Sequence, residues 1–488
     1  MSQTASYFDV VIVGAGLSGI GAACQLTTEC PHRTFTLLEA RPRLGGTWDL
    51  FRYPGVRSDS DMHTLGYGFR PWRSPKAIAD GPAILDYIRT VAHEYELLDR
   101  IQFNQKLMRA EWSTDAMRWT LTVTDTCSER VDTIHCGFLH VCAGYYSYET
   151  GYTPNFPNIG AFKGDILHPQ KWPEDYDYHD KKVVIIGSGA TAVTLVPAMA
   201  DGAQHVTMLQ RSPSYIVAWP AQDRFANVLR KVLPDTLAYA LTRWKNVRIQ
   251  QAAYAHTRQR PKASKRALLR WVRRRVPKDF DVETHLTPRY NPWDERICLA
   301  PDGDFFEAIK SGKAEIVTDE IEMMTETGVA LKSGQHIDAD TIITATGLNL
   351  NVLGDIEIHV DGVPIQLARC FTYKGLGYSG VPNLCAVFGY VNASWTLRAD
   401  LISAYLCRLL NHMSTTGTQR CVPRLRPSDQ EMQSQPFISD FAPGYLRRVE
   451  HLLPKQGDRE PWTNAQAYFK DRERFLKDTL EDGVMQFD

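Results

Sequence analysis

Two short glycine-rich stretches have the spacing that nucleotide diphosphates require. Residues 14–19 read GAGLSG and residues 187–192 read GSGATA, with alanine in the third glycine position of the second stretch. In such a turn the first glycine allows a tight bend, the second lets backbone N–H groups approach a pyrophosphate, and the third position lets a helix lie close to a strand. Each stretch therefore predicts a diphosphate at the positive end of a helix.

The end of the strand that follows each turn indicates which dinucleotide it takes. The first such strand, FTLLEA, contains Glu39 about twenty residues beyond the glycines, where a carboxylate bonds both ribose hydroxyls and repels a 2′-phosphate. This predicts FAD or NAD. The second, HVTMLQRS, ends at Arg211 and Ser212, which suit a 2′-phosphate and predict NADPH. The alternative for Arg211 is a solvated surface charge.

Short buried strands are expected to position these turns. Residues 10–13 and 183–186 are apolar runs of the kind found in parallel strands that are covered on both faces. Two later strands close at Gly144 and Gly347, and we assign one to each fold. Pro197 is expected to kink the second helix. The predicted fold class is α/β, with two Rossmann-like dinucleotide-binding domains.

Composition excludes several classes of protein. The chain of 488 residues has a formal net charge of −1, which gives no general attraction to nucleic acid. Its ten cysteines form no C-x-x-C pair and no metal spacing, so we expect free thiols in a reducing cytoplasm and no metal site. No apolar run approaches the ~20 residues of a transmembrane helix. The apolar run near the N-terminus is interpreted as a strand, not a signal peptide.

Two different dinucleotide folds in one chain indicate electron transfer between two cofactors. Hydride that leaves NADPH needs an acceptor, and FAD is the natural one. Flavin disulfide reductases share this plan but need a redox-active cysteine pair, and the sequence has no such pair near the first turn. Reduced flavin must therefore pass its electrons to another acceptor.

A polar connector before the second turn carries a further pattern, F-x-G-x-x-x-H-x-x-x-W-P over residues 162–173. It resembles the fingerprint of Baeyer–Villiger monooxygenases position for position. Residues 45–59, GGTWDLFRYPGVRSD, match a second pattern of that family, and the order of turn, fingerprint and turn is the family's order. The segments MLQRSPSYIV, YNPWDERICLAPDGD, ATGLN and GYVNASWTLRADL extend the resemblance over nearly the whole chain. They look closest to the ethionamide-activating, long-chain-ketone branch.

The resemblance implies a domain map. Residues 1–150 and 351–488 would form the FAD-binding domain. Residues 151–222 and 291–350 would form the linker and the NADP-binding domain, and residues 223–290 a helical insertion. The fingerprint would connect the two nucleotide domains without doing chemistry, and its histidine would be a hydrogen-bonded linker residue.

The implied reaction uses NADPH, FAD and dioxygen. A flavin C4a-peroxide would insert one oxygen atom into a ketone to give an ester or lactone, or would oxidise a thioether to a sulfoxide. Arg296 matches the family's active-site arginine, whose planar fork suits an anion, and Asp59 matches the carboxylate that orients it. Without the resemblance, each would be interpreted as a surface charge. Glu295 departs from the family pattern, in which many members have a lysine that helps to hold the 2′-phosphate. This departure predicts a weaker preference for NADPH.

The predicted site residues fall into four groups. The catalytic residues are Arg296 and Asp59. The FAD-binding residues are Gly14, Gly16, Ser18, Gly19, Glu39, Gly46, Thr47, Trp48, Asp59 and Leu107. The NADP-binding residues are Gly187, Ser188, Gly189, Ala190, Thr191, Ala192, Arg211 and Ser212. The fingerprint residues are Phe162, Gly164, His168 and Trp172.

A late helical segment, residues 392–413, has apolar positions on one face. Asn392, Ser394 and Thr396 are candidates to cap this helix, whose positive end would face the flavin. Trp395 is expected either to touch the nicotinamide ribose or substrate, or to be a core aromatic.

Residues 224–278 contain 16 lysines and arginines and one acid, Asp235. The simplest interpretation is a solvated helical face. The alternative is contact with an anionic membrane.

Two other functions compete with the leading one. The first is an amine- or sulfide-hydroxylating flavin monooxygenase, but those enzymes usually carry Tyr or Phe at the position of Trp172, and Arg296 also argues against it. The second is a non-catalytic redox sensor, against which two intact cofactor sites argue. We therefore expect a cytoplasmic enzyme that acts on a small ketone or thioether, with no nucleic acid partner.

Overall fold

The computed structural model describes residues 6–439 and 444–488. Its strands are, in chain order, β1 (Ser6–Val13), β2 (Phe35–Glu39), β3 (Ile101–Phe103), β4 (Gln105–Ser113), β5 (Arg118–Asp125), β6 (Val131–Val141), β7 (Tyr146–Gly151), β8 (Asp165–Leu167), β9 (Lys182–Ile186), β10 (His205–Gln210), β11 (Ile216–Trp219), β12 (Cys298–Pro301), β13 (Ala314–Thr318), β14 (Ile321–Thr325), β15 (Gly328–Leu331), β16 (His336–Asp338), β17 (Thr341–Thr344), β18 (Leu348–Leu350), β19 (Glu357–Val360), β20 (Val363–Pro364), β21 (Thr372–Tyr373), β22 (Gly377–Tyr378), β23 (Leu384–Ala386), β24 (Cys421–Pro423), β25 (Gln435–Pro436), β26 (Lys455–Gln456) and β27 (Met485–Phe487).

The α-helices are α1 (Leu17–Glu29), α2 (Thr47–Leu50), α3 (Met62–Leu65), α4 (Gly81–Glu94), α5 (Ala190–Ala200), α6 (Arg224–Val232), α7 (Asp235–Gln259), α8 (Pro261–Arg273), α9 (Val282–Leu286), α10 (Asp304–Lys310), α11 (Trp395–Thr416), α12 (Gly444–Val449) and α13 (Tyr468–Leu476). Within the two described ranges, no helix combines the length and the apolar character needed to cross a bilayer.

The first sheet has nine strands and is built around β1. β1 pairs in parallel with β2 and with β6, and β6 continues into the antiparallel strands β5 and β4. Val10 and Ile12 pack in one core with α1 and α11, whereas Val11 and Val13 pack in another core with β4 and β5. Both faces of β1 are therefore covered, which explains its continuous apolar run.

The second sheet has five strands in the order β13-β10-β9-β17-β8, all of them parallel. Residues 183–186 lie in its central strand and are buried. Gly144 follows β6 of the first sheet and Gly347 follows β17 of the second, as assigned from the sequence. The predicted fold class, α/β with two dinucleotide-binding folds, is confirmed.

The chain crosses between the two sheets twice, and the two crossing segments pair with each other. β7 leaves the first sheet, β18 returns from the second, and the two strands run antiparallel. The main-chain N–H of Tyr152 also donates to the carbonyl of Gly347 at 3.0 Å. The two folds are thus joined by a two-stranded connection rather than by independent linkers.

Helices α6 to α9 leave the second fold between β11 and β12, and this segment contains no strand in the part of the chain that is described. β11 and β12 pair in parallel, with Ile216 opposite Cys298 and Trp219 opposite Pro301. Because the two strands are parallel, the helical segment leaves at one end of this strand pair and returns at the other end. The domain boundaries assigned from the sequence stay a prediction.

Helix α11 begins close to its predicted position, but it is not capped as predicted. Ser394 is the N-cap residue, and its side chain makes no capping hydrogen bond. Its hydroxyl instead lies 2.6 Å from the hydroxyl of Thr64, while the Asn392 amide donates to the carbonyl of Gln466. The side chains that were predicted to cap the helix form hydrogen bonds with residues that are distant in sequence instead.

The core of the first sheet contains one histidine that affects stability at low pH. His140, in β6, is completely buried, and its Nδ1 lies 3.2 Å from the carbonyl oxygen of Cys385. Nδ1–H donates to this carbonyl when the ring is neutral. Burial lowers the pKa of His140 from 6.5 to about 4.

We predict that this histidine makes the protein acid-sensitive. The unfolded chain binds more protons than the folded chain between pH 6.5 and about 4, so the contribution of His140 to stability is complete above this range and is lost as the pH falls through it. The loss should be about 3 kcal/mol, from the size of the shift. In urea unfolding at several pH values, His140→Asn should flatten this slope because Asn keeps a donor and does not titrate. The exposed control His256→Asn should not. An unchanged slope in His140→Asn would contradict the assignment.

Candidate functional site

A cavity of about 770 Å³ receives residues from both dinucleotide folds. Its wall includes the predicted residues Gly14, Gly16, Ser18, Glu39, Gly46, Thr47, Trp48, Asp59, Leu107, Ala190, Thr191 and Arg296. In the part of the chain that is described, the wall does not include Gly19, Gly187, Ser188, Gly189, Ala192, Arg211, Ser212, Phe162, Gly164, His168 or Trp172. The cavity is therefore lined by nearly all of the predicted FAD-binding residues and by both predicted catalytic residues. Of the predicted NADP-binding residues, only those at the start of α5 line it.

The first glycine turn is shaped by close backbone contacts. A Cβ atom at Gly14, which has a φ of +100°, would lie 2.7 Å from the carbonyl oxygen of Cys142. A Cβ at Gly19 would lie 1.8 Å from the carbonyl oxygen of Gly14, so only glycine allows α1 to begin where it does. A Cβ at Gly46 would lie 2.9 Å from the Cα of Gly16, and a Cβ at Gly16 would lie 3.4 Å from the Cα of Gly46. The two backbones therefore face each other without side chains. The start of α1 thus presents backbone without side chains to the cavity, which fits the diphosphate of a dinucleotide.

Glu39 lies at the end of β2 and is 6% exposed. Its carboxylate accepts hydrogen bonds from the backbone N–H groups of Ala15, at 2.8 Å, and Arg41, at 3.0 Å. Burial raises the pKa of this carboxyl group, against the effect of these two donors. Because Glu39 also lines the cavity, it fits the predicted ribose contact and in addition holds the glycine turn in place.

Arg296 and Asp59 form an ion pair in the cavity wall. Arg296 Nε lies 3.0 Å from Asp59 Oδ2, and a second guanidinium nitrogen donates to Oδ1 at 3.5 Å. The two side chains are 37% and 32% exposed, so the pair is accessible from the cavity. Asp59 raises the pKa of Arg296 above its ordinary value. The guanidinium is thus a fixed positive charge at the edge of the predicted flavin site.

Aromatic side chains that sequence reasoning missed surround this pair. Tyr145 stacks on Trp395 with ring centroids 5.1 Å apart, and Phe388 lies against both rings. Tyr445, in α12, also lines the cavity and is close enough for the charge of Arg296 to affect its pKa, which burial raises. The run GYYSY after β6 was the available signal for Tyr145, since an aromatic cluster directly follows a strand end.

Trp395 contacts both the cofactor region and the aromatic wall. Its Nε1–H donates to the hydroxyl of Ser18 at 2.8 Å, and it lines the cavity at the start of α11. The indole is therefore more than a core aromatic, because it joins the first turn of α1 to the wall that faces Arg296.

The second glycine turn is built on the same plan. At Gly187, with a φ of +137°, a Cβ would lie 2.3 Å from the carbonyl oxygen of Ala345. At Gly189, the N-cap residue of α5, a Cβ would meet no atom within 4 Å. The Ser188 hydroxyl donates to the carbonyl of Ser212 at 2.9 Å and so ties the turn to the end of β10. The open space beside Gly189 fits a second diphosphate.

The residues predicted to bind the 2′-phosphate lie at the end of β10. Arg211 and Ser212 are both exposed. Glu295 is half-buried nearby, and burial raises its pKa, while the charges of Arg447 and Arg211 lower it. An acid therefore lies within electrostatic reach of the arginine predicted to bind a phosphate.

The fingerprint lies on the two-stranded connection between the folds. The Gln170 N–H donates to His168 Nδ1 at 3.1 Å, so Nε2 carries the hydrogen and donates to the carbonyl of Gly347 at 3.2 Å. A Cβ at Gly151 would lie 1.9 Å from His168 Cε1. The imidazole thus contacts the end of β7 and the segment that leads into β18. Burial lowers its pKa, which keeps it neutral at physiological pH.

The other fingerprint residues hold this connector to the second sheet. Phe162 is buried with Val184 and Ile186 of β9. A Cβ at Gly164 would lie 2.3 Å from the carbonyl oxygen of Asp340. Trp172 is buried with Tyr53, close to the start of α5. These contacts agree with a positioning role and give His168 no contact with the cavity among the described residues. The described part of the chain contains no cluster of His, Cys, Asp and Glu side chains that could bind a metal ion.

Comparisons with known proteins define the class. Residues 75–272 match the family model of flavin-binding monooxygenase-like proteins, and residues 12–77 match that of the NAD(P)-binding Rossmann-like domain. The chain is 49% identical to the FAD-containing monooxygenase EthA of Mycolicibacterium smegmatis, over 99% of this chain and 97% of the relative. It is 50% identical to the putative FAD-containing monooxygenase MymA of Mycobacterium tuberculosis over 99% and 97%. The chain therefore belongs to the family of FAD-containing monooxygenases.

Solved structures agree with this assignment at the level of the fold. An oxidised steroid monooxygenase bound to NADP matches with a TM-score of 0.77 and 23% identity over 99% of both chains. A cyclohexanone-bound cyclohexanone monooxygenase matches with a TM-score of 0.71 and 21% identity, over 87% of this chain and 90% of the other. The predicted class of enzyme, a flavin monooxygenase with two dinucleotide folds, is confirmed.

We predict that alanine substitutions at the two glycines of the second turn have different effects, one on stability and the other on NADPH binding. Gly187→Ala should lower the free energy of unfolding by about 2 kcal/mol or more, because alanine is strained at this positive φ and its methyl group would meet Ala345. Gly189→Ala should leave stability nearly unchanged but weaken NADPH binding, since its methyl group enters the open space beside α5. Urea unfolding and direct nicotinamide titration measure the two effects. Equal stability of the two variants would contradict this description of the turn.

Proposed function

We propose that this protein is an NADPH- and FAD-dependent Baeyer–Villiger monooxygenase. It inserts one oxygen atom of dioxygen into a ketone to give an ester or lactone, and it also oxidises thioethers to sulfoxides. The observation that carries the proposal is the Arg296–Asp59 pair, which faces the same cavity as the first glycine turn and the start of α5. Full-length similarity to FAD-containing monooxygenases supports the cofactor.

FAD, once reduced by the nicotinamide and exposed to dioxygen, supplies the activated oxygen. The first turn, Glu39 and the helix start at Ser18 would hold its adenosine diphosphate part, as the bare backbone of the turn and the buried carboxylate suggest. The second turn would hold the nicotinamide dinucleotide, with Arg211 and Ser212 on its 2′-phosphate.

The role of Arg296 follows from its charge and its fixed position. Oxygen insertion into a carbonyl develops negative charge on oxygen, which a preorganised donor stabilises more than water does. Asp59 fixes the guanidinium at two points, so it need not reorganise during the reaction. Flavin reduction develops no such anion and therefore does not need this residue.

The aromatic side chains that line the cavity have a separate role in this proposal. Tyr145, Phe388, Trp395 and Tyr445 present large side chains to the cavity. We propose that they limit water near the reacting oxygen, because water would protonate it and release hydrogen peroxide. They also provide the apolar surface on which a ketone or thioether would rest.

The competing functions are less well supported. A hydroxylase of amines or sulfides needs no fixed cation beside the flavin, whereas Arg296 is held in the cavity wall. Membership of the monooxygenase family argues against a redox sensor. All ten cysteines are free thiols, nine of them buried, which supports a reducing cytoplasm as the location.

We predict that Arg296→Ala abolishes ester formation while FAD remains bound. Removal of one such donor should cost about 10²–10³ in rate, and NADPH oxidation should continue slowly with hydrogen peroxide as product. Asp59→Ala should uncouple more mildly because it misplaces the guanidinium without removing it. Arg296→Lys should restore little of the ester formation, since an ammonium group lacks the planar fork of the guanidinium.

The assay for this prediction is ester formed per NADPH consumed, with FAD content checked by absorbance. Arg57→Ala is the matched control, because Arg57 also lines the cavity and is paired with a carboxylate, Asp304. Near-normal coupling in Arg296→Ala, or equal uncoupling in Arg57→Ala, would remove the central support for the proposal.

We predict opposite effects on cofactor preference at two neighbouring charges. Arg211→Ala should raise the KM for NADPH by at least about tenfold, since a bond to a charged group is lost, and should change the KM for NADH little. Glu295→Gln should lower the KM for NADPH by up to about fivefold. Glu320→Gln is the control, because Glu320 is also near Arg211 but is paired with Lys332. Equal effects on both nicotinamides would exclude Arg211 from the 2′-phosphate site.

A further inference from the structure

Seven large apolar side chains on α6 and α7 are exposed to solvent, which is unusual for a helical hairpin. They are Phe225 (44% exposed), Val228 (60%), Val232 (72%), Leu237 (47%), Leu241 (40%), Trp244 (58%) and Ile249 (47%). Exposed apolar residues that are scattered singly need no explanation, but a contiguous group indicates an interaction surface.

The spacing of these residues places them on one face of each helix. Phe225, Val228 and Val232 recur at intervals of three and four in α6, as do Leu237, Leu241 and Trp244 in α7. The two helices are joined by a short connection, and Lys245 Nζ of α7 lies 4.5 Å from the ring of Phe225. We call these six residues the apolar hairpin face.

Contacts on the other side of α7 fix the direction of this face. The Tyr239 hydroxyl donates to the carbonyl of Tyr67 at 3.0 Å, and Ala238 and Thr242 are buried. Arg243 pairs with Asp400 of α11 at 3.0 Å and donates to the carbonyls of His63 and Gly66. Helix α7 is therefore attached by the side that carries Tyr239 and Arg243, and the apolar hairpin face points away from the protein.

The charge around the apolar hairpin face indicates what covers it. Residues 224–278 contain 16 basic residues and one acid. Arg224, Lys231 and Arg248 are exposed on the two helices, and α8 adds Lys262, Arg266 and Arg270. A second copy of this chain would bring the same positive surface against itself, because a twofold contact pairs like with like. An anionic lipid surface satisfies both features, since it accepts apolar side chains and attracts cations.

We infer that the α6–α7 hairpin docks this protein onto membranes that contain anionic lipid. The apolar hairpin face enters the boundary between headgroups and acyl chains, where an indole such as that of Trp244 is favoured. The surrounding lysines and arginines lie over lipid phosphates. The contact is peripheral, because no helix in the described ranges can cross a bilayer. This inference does not depend on the proposed reaction.

The experiment measures co-sedimentation of the FAD-bound, full-length protein with unilamellar vesicles. Vesicles of phosphatidylcholine with phosphatidylglycerol should bind the protein, vesicles of phosphatidylcholine alone should bind it less, and added salt should weaken binding. The double variant Leu241→Ser/Trp244→Ser should weaken binding at least about tenfold, since two inserted apolar side chains are lost. Lys231→Gln should weaken it about fivefold, which corresponds to ~1 kcal/mol per basic residue.

The matched control is Val131→Ser/Val363→Ser, because both valines are 61% exposed and lie on the first sheet. This control should bind as the unmodified protein does. FAD absorbance and the circular dichroism spectrum, which should be unchanged in all variants, verify folding. Failure to bind anionic vesicles, or equal binding by the Leu241→Ser/Trp244→Ser variant, would overturn the inference. So would a dimer in sedimentation velocity that this variant abolishes without any vesicle binding, because the face would then be a self-association surface.

Discussion

The Arg296–Asp59 ion pair joins residues of the two dinucleotide folds, and the proposed reaction requires this guanidinium at a fixed distance from the reacting oxygen. Arg296 and Asp59 lie 237 residues apart in the chain. Asp59 follows the first nucleotide turn, whereas Arg296 comes just before β12 of the second fold. The ion pair therefore has its observed geometry only when the two dinucleotide folds are correctly placed relative to each other.

That placement rests on the paired crossing strands β7 and β18 and on His168. The imidazole contacts both crossing segments at once, near Gly151 and Gly347. Because it is neutral and half-buried, it contributes geometry without adding a charge that would respond to the cofactors. The same arrangement gives this histidine a structural role between the two folds although it lies away from the cavity wall.

Sequence reasoning was most successful where function is encoded locally. The glycine turns, Glu39 and the strand ends could be predicted because each requires only a few neighbouring residues with a defined spacing. Asp59 and Arg296 could be proposed only through family resemblance, since nothing in their local sequence distinguishes them from surface charges. Tyr145 and Tyr445 were missed because their contact with the cavity depends on chain segments that are distant in sequence. The capping role predicted for Ser394 was wrong because a tertiary partner, Thr64, competes for its hydroxyl.

The parallel pairing of β11 with β12 has a consequence for how such an enzyme can diversify. The helical segment leaves after Trp219 and returns just before Cys298, and these two strands lie side by side. Arg296 is located at the return point, directly before β12. Substitutions on the exposed side of helices α6 to α9 therefore leave β12 and the guanidinium of Arg296 in place, as long as the contacts of Tyr239 and Arg243 with the rest of the protein are kept. The sequence of the exposed surface of helices α6 to α9 and the sequence around Arg296 can therefore diverge independently.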